Sequence, residues 1–195
     1  MINVRPKNIK IYVMKKLSLI FGLFAMLIVS SCRDIVNNVL DALPPFDVPF
    51  STNVPVPLAA VSTTTYTRTP EIPMNINLDA KIKENNPNYS INNLKSVKLS
   101  TLKVDFVSST LDTRLNAIRN ARIYVKAPNQ PERLIATAYD NTNPDTITFT
   151  VVDEELINYF RTNENSLIFE VMASTPTADQ LTVRISSGFK IRVQL

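Results

Sequence analysis

The sequence contains no histidine and no tryptophan, and it has one cysteine among 195 residues. The absence of histidine excludes Ser-His-Asp and Cys-His catalysis, zinc sites built on imidazole, and the most common general base. One cysteine cannot form a disulfide within the chain, so the fold must be stabilised by packing. The absence of tryptophan removes one of the aromatic platforms that glycan-binding sandwiches use.

Glycine is also scarce, because Gly22 and Gly188 are the only two, whereas 13 prolines are present. Backbone positions with positive φ must therefore be filled mainly by Asn and Asp, which tolerate that conformation better than other residues do. Clusters of Asn and Pro predict turns at 84–90, 128–131, 140–145, 162–165 and 174–179.

A short apolar run near the start of the sequence has the composition of an export signal. Two lysines precede this 13-residue run, 17–29, and Ser30, Ser31 and Cys32 follow it. Positive charge, then an apolar segment, then small residues are typical of a signal peptide, and Met14 begins this order better than Met1 does. Thirteen residues are too few to cross a bilayer core, which needs about 20.

The four residues Val29-Ser30-Ser31-Cys32 resemble the lipobox of bacterial lipoproteins, and the Asn-rich composition would suit Bacteroidota. The resemblance implies that Cys32 carries a diacylglyceryl group, that signal peptidase II cleaves between Ser31 and Cys32, and that the new amino terminus is acylated. A lone cysteine could instead be a buried small hydrophobe or a stray thiol. Neither alternative explains its position directly after two serines.

This reading divides the chain into a signal peptide at 1–31, a lipidated anchor and tether at 32–45, and one domain at 46–195. The full sequence has a formal net charge of +4. Five basic and no acidic residues precede Cys32, which leaves 16 basic and 17 acidic residues, a charge of −1, for 32–195. The basic character therefore belongs to the signal, and no nucleic-acid partner is expected.

Apolar residues recur with a period of two through most of the domain, which indicates β-strands. An alternation over Ile72–Ile82 predicts one strand, and a change of parity predicts a β-bulge near Ser100 and Thr101. Prolines in 46–69 favour an edge position for that region. Further strands are predicted at 97–106, 123–127, 134–139, 147–151, 167–173 and 181–195.

Two short helices are predicted, one at Asp153–Phe160 and one marked by Leu111, Leu115 and Ile118. About eight or nine short strands without alternating βα units indicate an all-β fold. We expect an antiparallel β-sandwich, immunoglobulin-like or related, with one or two short helices.

The tether carries an apolar stripe, which Asp34 could cap as a helix and Pro44-Pro45 would end. Its members include Ile35, Val39 and Leu43, the candidate partner-contact residues. The stripe either packs on the chain's own sandwich, lies in the membrane interface, or contacts a partner subunit.

Candidate chemistry is limited to a few groups. Ser100-Thr101-Leu102-Lys103 matches the Ser-x-x-Lys string of penicillin-binding enzymes, but it lies on a predicted strand without the accompanying motifs, which indicates a chance match. The acids could form a glycosidase pair or a calcium loop, although turn and helix-cap positions explain them adequately. They are Asp140, Asp145, Asp153, Glu154 and Glu155.

Two further features concern carbohydrate. Asp145-Thr146-Ile147 resembles the O-glycosylation acceptor of Bacteroidota, although a plain strand start explains it as well. Four tyrosines remain as candidate glycan platforms, but strand tyrosines more often place the ring in the core. They are Tyr66, Tyr89, Tyr124 and Tyr139.

The sequence thus predicts a membrane-anchored envelope lipoprotein that is a non-enzymatic structural or protein-interaction subunit, with no cofactor and no metal site. The alternative is a module that binds glycan, lipid or peptide through loops at the sandwich ends. In lipoproteins an aspartate after the cysteine commonly favours inner-membrane retention, so Arg33 favours the outer membrane. Arg33-Asp34 is a poor match to the acidic export signal of surface lipoproteins, which favours the periplasmic face.

Overall fold

The structure is a computed structural model that describes residues 44–194, apart from the side chain of residue 59. The predicted signal, Ser31, Cys32 and the tether residues Ile35, Val39 and Leu43 lie outside this range. Within it, no helix is long and apolar enough to span a bilayer.

Ten β-strands, one α-helix and four 3-10 helices form the regular structure of the described residues. The strands are β1 (Phe46–Pro57), β2 (Thr67–Arg68), β3 (Ile72–Pro73), β4 (Leu94–Ser109), β5 (Ile118–Lys126), β6 (Arg133–Ala138), β7 (Thr146–Thr148), β8 (Thr150–Val151), β9 (Ser166–Ala173) and β10 (Gln180–Val193). The helix α1 is Leu78–Asn85, and the 3-10 helices are Leu58–Ala60, Ile91–Asn93, Leu115–Ala117 and Ile157–Tyr159.

The strands form two antiparallel sheets. The first sheet has the order β1-β10-β4-β7, and the second has the order β2-β9-β5-β6-β8, with β3 also paired to β9. The predicted all-β antiparallel sandwich is therefore confirmed. One predicted strand, 147–151, is divided between the sheets, because β7 pairs with β4 whereas β8 pairs with β6.

Inward side chains of both sheets meet in one hydrophobic core. Along β10, buried and more exposed residues alternate throughout the strand, as a sheet with one buried face requires. The rings of Phe160 and Phe189 pack with their centroids 4.7 Å apart. Each fully buried aliphatic or aromatic side chain contributes roughly 1.5–3 kcal/mol, so this core is the main source of stability in a chain without a disulfide.

The predicted edge position of the proline-rich segment is confirmed, because β1 pairs with β10 alone. Pro49, Pro55 and Pro57 are separated by even numbers of residues, and the β1–β10 register has no shift between them, so their backbone nitrogens point to the same side of the strand. Their nitrogens therefore all face away from β10, where no ladder bond is lost.

The strand predicted over Ile72–Ile82 is wrong beyond its first residues. Only Ile72–Pro73 pairs as a strand, and α1 begins at Leu78. The Oδ1 atom of Asn77 accepts a hydrogen bond from the backbone N–H of Ala80 and caps the helix. Leu78 and Ile82 are both buried. A spacing of four residues fits a strand face and a helix face equally well, so the alternation misled.

Neither predicted helix is an α-helix. In the first, only Ile157–Tyr159 forms a 3-10 turn. Asp153 does not cap it but pairs with Lys98, its Oδ1 atom 2.7 Å from Nζ. In the second, a 3-10 turn begins at Leu115 while Leu111 stays 66% exposed. In the first segment the Glu155 carboxylate accepts hydrogen bonds from the backbone N–H groups of Val97 and Ile157, so this acid ties the segment to β4 in place of a helical turn.

Positive φ angles fall on Asn and Asp, as the scarcity of glycine predicts. Among the described residues other than glycine, they occur at Asn75, Asp112, Asn129 and Asp140. Asn129 and Asp140 lie in two of the predicted turns, 128–131 and 140–145.

Candidate functional site

The predicted lipidation site cannot be placed on the fold. Cys32 and Ser31, together with Ile35, Val39 and Leu43, lie outside the described residues, and their roles stay predictions. The described residues carry the remaining candidates.

The Ser-x-x-Lys string is not assembled as a catalytic pair. The Ser100 hydroxyl donates to the carbonyl oxygen of Gly188 at 2.8 Å, and the Lys103 ammonium pairs with Asp105 at 2.9 Å. Each group is engaged in stabilising the first sheet.

Most of the candidate acids have structural partners. Asp145 pairs with Arg114 at 3.2 Å, and Asp153 and Glu154 also form ion pairs. The Glu155 carboxylate accepts hydrogen bonds from the backbone N–H groups of Val97 and Ile157. Within 44–194 no three His, Cys, Asp or Glu side chains converge as metal ligands do.

Thr146 begins β7, so the interpretation of Asp145-Thr146-Ile147 as a strand start is confirmed. The Thr146 hydroxyl donates to Oδ1 of Asp105 at 3.0 Å and is partly buried. That hydroxyl is therefore engaged within the first sheet.

Three of the four candidate tyrosines lie outside the core, contrary to the sequence-based expectation. Tyr89 is buried, 5% exposed, as expected for a core ring. Tyr66, Tyr124 and Tyr139 instead surround Arg122 on the outer face of the second sheet, the face turned away from the core. We call these four residues the tyrosine–arginine cluster. The Arg122 guanidinium carbon lies 3.9 Å from the centroid of the Tyr66 ring, a cation–π distance.

The electrostatics of the cluster are set by its own members and two neighbours. Burial lowers the pKa of Arg122, but Tyr66, Tyr139 and Tyr124 together raise it above its ordinary value. Burial raises the pKa of Tyr124, and the adjacent Glu170 raises it further. Arg122 therefore stays charged and the Tyr124 hydroxyl stays protonated at neutral pH.

An ordered layer of side chains covers this outer face. Ile168 and Met172 point away from the core, yet they are only 2% and 9% exposed. Nearby, Arg68 bonds to Glu132 at 2.7 Å and approaches Glu170 at 3.6 Å. The long side chains of the layer thus cover apolar surface with their stems.

A groove of about 280 Å³, lined by residues of polar type, lies at the end of the same sheet. We call it the rim groove. It is formed where the Asp140–Asp145 turn meets the start of β5 and the end of β9. Its lining residues are Asn116, Arg119, Asp140, Asn141, Thr142 and Ser174.

Two larger depressions flank the other edge of the sandwich. One of about 450 Å³ lies between β1 and the Thr69–Pro73 segment and is mostly apolar, with four prolines in its wall. The other, of about 380 Å³, is polar and includes Glu71, Lys126 and Asn165. Glu71 and Lys126 pair with each other there.

Sequence reasoning found the Asp140–Asp145 turn and the tyrosines but missed Arg119 and Arg122. The available signal was the alternation in β5, where long polar side chains occupy the positions between Ala121, Ile123 and Val125. Long polar side chains on one face of a central strand indicate a decorated solvent face.

No protein-family model and no curated protein matches this chain. Among solved structures it is similar to a chain of turnip yellow mosaic virus at 100 K, with 12% identity, 78% of this chain and 96% of that chain covered, and a TM-score of 0.30. It is also similar to a chain of the cyanophage Pam1 capsid asymmetric unit, with 7% identity, 77% and 86% coverage, and a TM-score of 0.30. With TM-scores this low, neither similarity supports an argument about function.

Proposed function

We propose that this chain is a lipid-anchored protein of the bacterial cell envelope that works as a non-enzymatic structural or protein-interaction subunit. The anchor is supported by the order of positive charge, short apolar run, small residues and Cys32. The sandwich is the part that meets other molecules. Arg33, directly after the acylated cysteine, favours the outer membrane with the domain on its periplasmic side.

The observation that carries the interaction role is the tyrosine–arginine cluster. Tyrosine and arginine are enriched at the hot spots of protein interfaces, where one side chain supplies apolar area and a polar tip. Arg122 is held against Tyr66 before any partner arrives. A prearranged surface loses less conformational entropy on binding, which favours association.

The non-enzymatic part of the proposal rests on the residue types in the sequence and on the partners of its acids. Histidine is absent from the sequence, and Asp145, Asp153, Glu154 and Glu155 are engaged in ion pairs or backbone hydrogen bonds.

The anchor is tested by mass spectrometry of the protein extracted from membranes. The mature chain should begin at Cys32 and carry acyl mass, and a Cys32→Ser variant should lose both the acyl mass and the membrane fraction. A soluble chain with an unmodified Cys32 would contradict the proposal.

The interaction role is tested by crosslinking in native membranes followed by purification. A Tyr66→Ser/Tyr124→Ser variant should lose a partner that the unaltered protein retains. Lys190→Ser, on the outer face of the first sheet, is the control and should retain it. An identical set of crosslinked partners in both variants would rule out the cluster as the contact surface.

A second candidate function is a ligand-binding module that uses the loops at the sandwich end. The observation that favours it is the rim groove, to which the predicted Asp140–Asp145 turn contributes three lining residues. Loops held on a rigid sheet are common recognition surfaces.

A further inference from the structure

We propose that the rim groove binds a neutral glycan, with Arg119 and Asp140 hydrogen-bonded to sugar hydroxyls and Tyr139 packed on a sugar ring. The inference rests on the ligand-binding candidate above and names its ligand class. At about 280 Å³ the groove is at the small end of ligand pockets, which suits one sugar ring with the rest of the glycan on the surface.

Two charged groups of the rim groove have unused hydrogen-bonding capacity. Arg119 and Asp140 both line the groove, yet they form no ion pair with each other or with any other residue in 44–194. Arg119 makes one contact, from Nη2 to Sδ of Met172 at 3.2 Å. A guanidinium has five N–H donors and a carboxylate accepts at both oxygens, so most of their hydrogen-bonding capacity is not used by other described residues.

The remaining lining side chains divide into structural and free groups. Asn141 is structural, because its Nδ2 atom donates to the carbonyl oxygens of Leu115 and Ile118 at 2.8 and 3.2 Å. Ser174 donates to the carbonyl oxygen of Asn116 at 3.0 Å. The side chains of Asn116 and Thr142 have no hydrogen-bond partner among the described residues and remain available to a ligand.

The turn that carries Asp140 is fixed before any ligand binds. The backbone N–H of Asp140 donates to Oδ1 of Asn120 at 2.9 Å, and that of Asn141 donates to the Arg119 carbonyl oxygen at 2.8 Å. Asn143 accepts hydrogen bonds from the next two N–H groups of the turn. A rigid turn keeps the Asp140 carboxylate in place, which lowers the entropic cost of binding.

The aromatic contact comes from Tyr139, which directly precedes Asp140. The two antiparallel strands pair Ala121 with Ala138, so Tyr139 follows on opposite Asn120 at this end of the sheet. Tyr139 is 57% exposed and is one of three large exposed apolar side chains in the described chain. An accessible tyrosine beside a polar groove is suited to stack on the C–H face of a sugar.

The charges of the groove favour a neutral ligand. Arg119 and Asp140 are the two charged residues in its lining, and their charges cancel. An anion would be attracted by Arg119 but repelled by Asp140, and a cation would experience the reverse, so neither gains a net charge interaction from the pair. A sugar with adjacent hydroxyls donates to the carboxylate and accepts from the guanidinium at once, so it satisfies both groups.

The test uses the full lipidated protein in detergent micelles on a printed array of plant, animal and bacterial polysaccharides, followed by calorimetric titration with the glycan that binds. Arg119→Ala and Asp140→Asn should each weaken binding about tenfold or more, because each removes a charged hydrogen-bonding group. Tyr139→Ser should weaken it by a similar factor. Asp140→Asn preserves the backbone, since asparagine tolerates the φ of 49° at this position.

Arg192→Ala is the matched control, because Arg192 is an exposed arginine on the first sheet. Its affinity should stay within about twofold of the unaltered protein. Binding that all three groove variants retain would overturn the site. If no glycan on the array binds, the proposed ligand class is overturned.

An anionic glycan or a peptide that binds through the same three residues would overturn the neutral-glycan assignment but would keep the ligand-binding candidate. The acyl mass on Cys32 is measured independently. A failure of the glycan inference is therefore distinguishable from a failure of the proposed anchor.

Discussion

The hydroxyl of Ser100 donates a hydrogen bond to the carbonyl oxygen of Gly188, 2.8 Å away across the β4–β10 pair. Gly188 pairs with Thr101 and the next residue of β10 pairs with Leu99, so Ser100 is the extra residue of a β-bulge. Gly188 is the only glycine after the predicted cleavage site. A β-carbon there would lie 2.9 Å from Oγ1 of Thr101 and 3.0 Å from Oγ of Ser100.

Gly188→Ala should therefore destabilise the fold although the φ of Gly188 is not positive. The methyl group would displace the Ser100 hydroxyl from its hydrogen bond or push the strands apart, at a cost of about 1–3 kcal/mol. Urea unfolding of the variant and the unaltered protein measures the difference in free energy.

A double-mutant cycle identifies the cause. In a Ser100→Ala/Thr101→Ala background the two oxygens are gone, and the same glycine substitution should cost clearly less. An equal cost in both backgrounds would show that crowding by these hydroxyls is not the reason for glycine at this position.

The bulge was predictable from the sequence because the inward face changes parity once between Leu99 and Leu102, and a strand cannot do this without an extra residue. The edge position of β1 was predictable from its prolines for the same kind of local reason. The strand predicted up to Ile82 failed because Leu78 and Ile82 share a face in both a strand and a helix. What decides between them is the cap from Asn77, a weak local signal.

The candidate sites were harder to predict from the sequence than the strands, because they combine residues from separate elements. The turn at Asp140–Asp145 was visible in the sequence, but the other charged residue of the rim groove, Arg119, lies on β5. The tyrosine rings were expected in the core, and for Tyr66, Tyr124 and Tyr139 that expectation was wrong. The alternation in β5 indicated the outer face for Tyr124, whereas Tyr66 and Tyr139 lie just outside strands, where no alternation assigns a face.

Asp179 should make stability depend on acidic pH. Asp179 is 1% exposed. Its carboxylate accepts hydrogen bonds from the N–H group and the hydroxyl of Thr110 and from the N–H groups of Leu111, Thr113 and Gln180. Burial alone would raise its pKa, but the hydrogen bonds from Thr110 and Thr113 outweigh burial and hold the pKa far below its ordinary range.

Because the pKa of Asp179 is lower in the folded chain than in the unfolded chain, its contribution is complete above the unfolded value of about 3.9 and is lost as the pH falls below it. Asp179→Asn should lower stability at neutral pH and flatten the fall in stability below about pH 4. Urea unfolding across this range measures both effects. Asp112→Asn changes an exposed aspartate and is the control, so its free energy of unfolding should fall with acid as it does in the unaltered protein. If Asp179→Asn shows the same dependence on pH as this control, the prediction is refuted.

The prolines of β1 should keep this edge from pairing with other chains. Pro49, Pro55 and Pro57 remove outward N–H donors from the free side of the strand, where another strand could otherwise add. A triple substitution by threonine should increase self-association at equal concentration, measured by analytical ultracentrifugation. Threonine at Pro87, Pro128 and Pro131, which are exposed in turns, is the control. Equal association of both triple variants would contradict this role.

The apolar stripe of the tether should matter for stability or for partner binding. Ile35, Val39 and Leu43 lie outside the described residues, and the lipid alone already provides about 0.8 kcal/mol per buried CH₂ for anchoring. A mere spacer would have no use for a further apolar face, whereas burial of each side chain would contribute roughly 1.5–3 kcal/mol. Replacing all three by serine should therefore either lower the melting temperature, if the stripe packs on the sandwich, or release a co-purifying partner.

The two results separate the alternatives, because packing within the chain changes thermal unfolding of the isolated protein and a partner contact does not. Thermal unfolding in detergent and quantitative mass spectrometry of native membrane extracts measure them. Serine at Thr63, Thr64 and Thr65, a polar segment of the sandwich, is the matched control for three substitutions in one segment. If neither quantity changes, the stripe is an idle tether or touches the membrane surface, and the interaction subunit must then contact its partner through the tyrosine–arginine cluster alone.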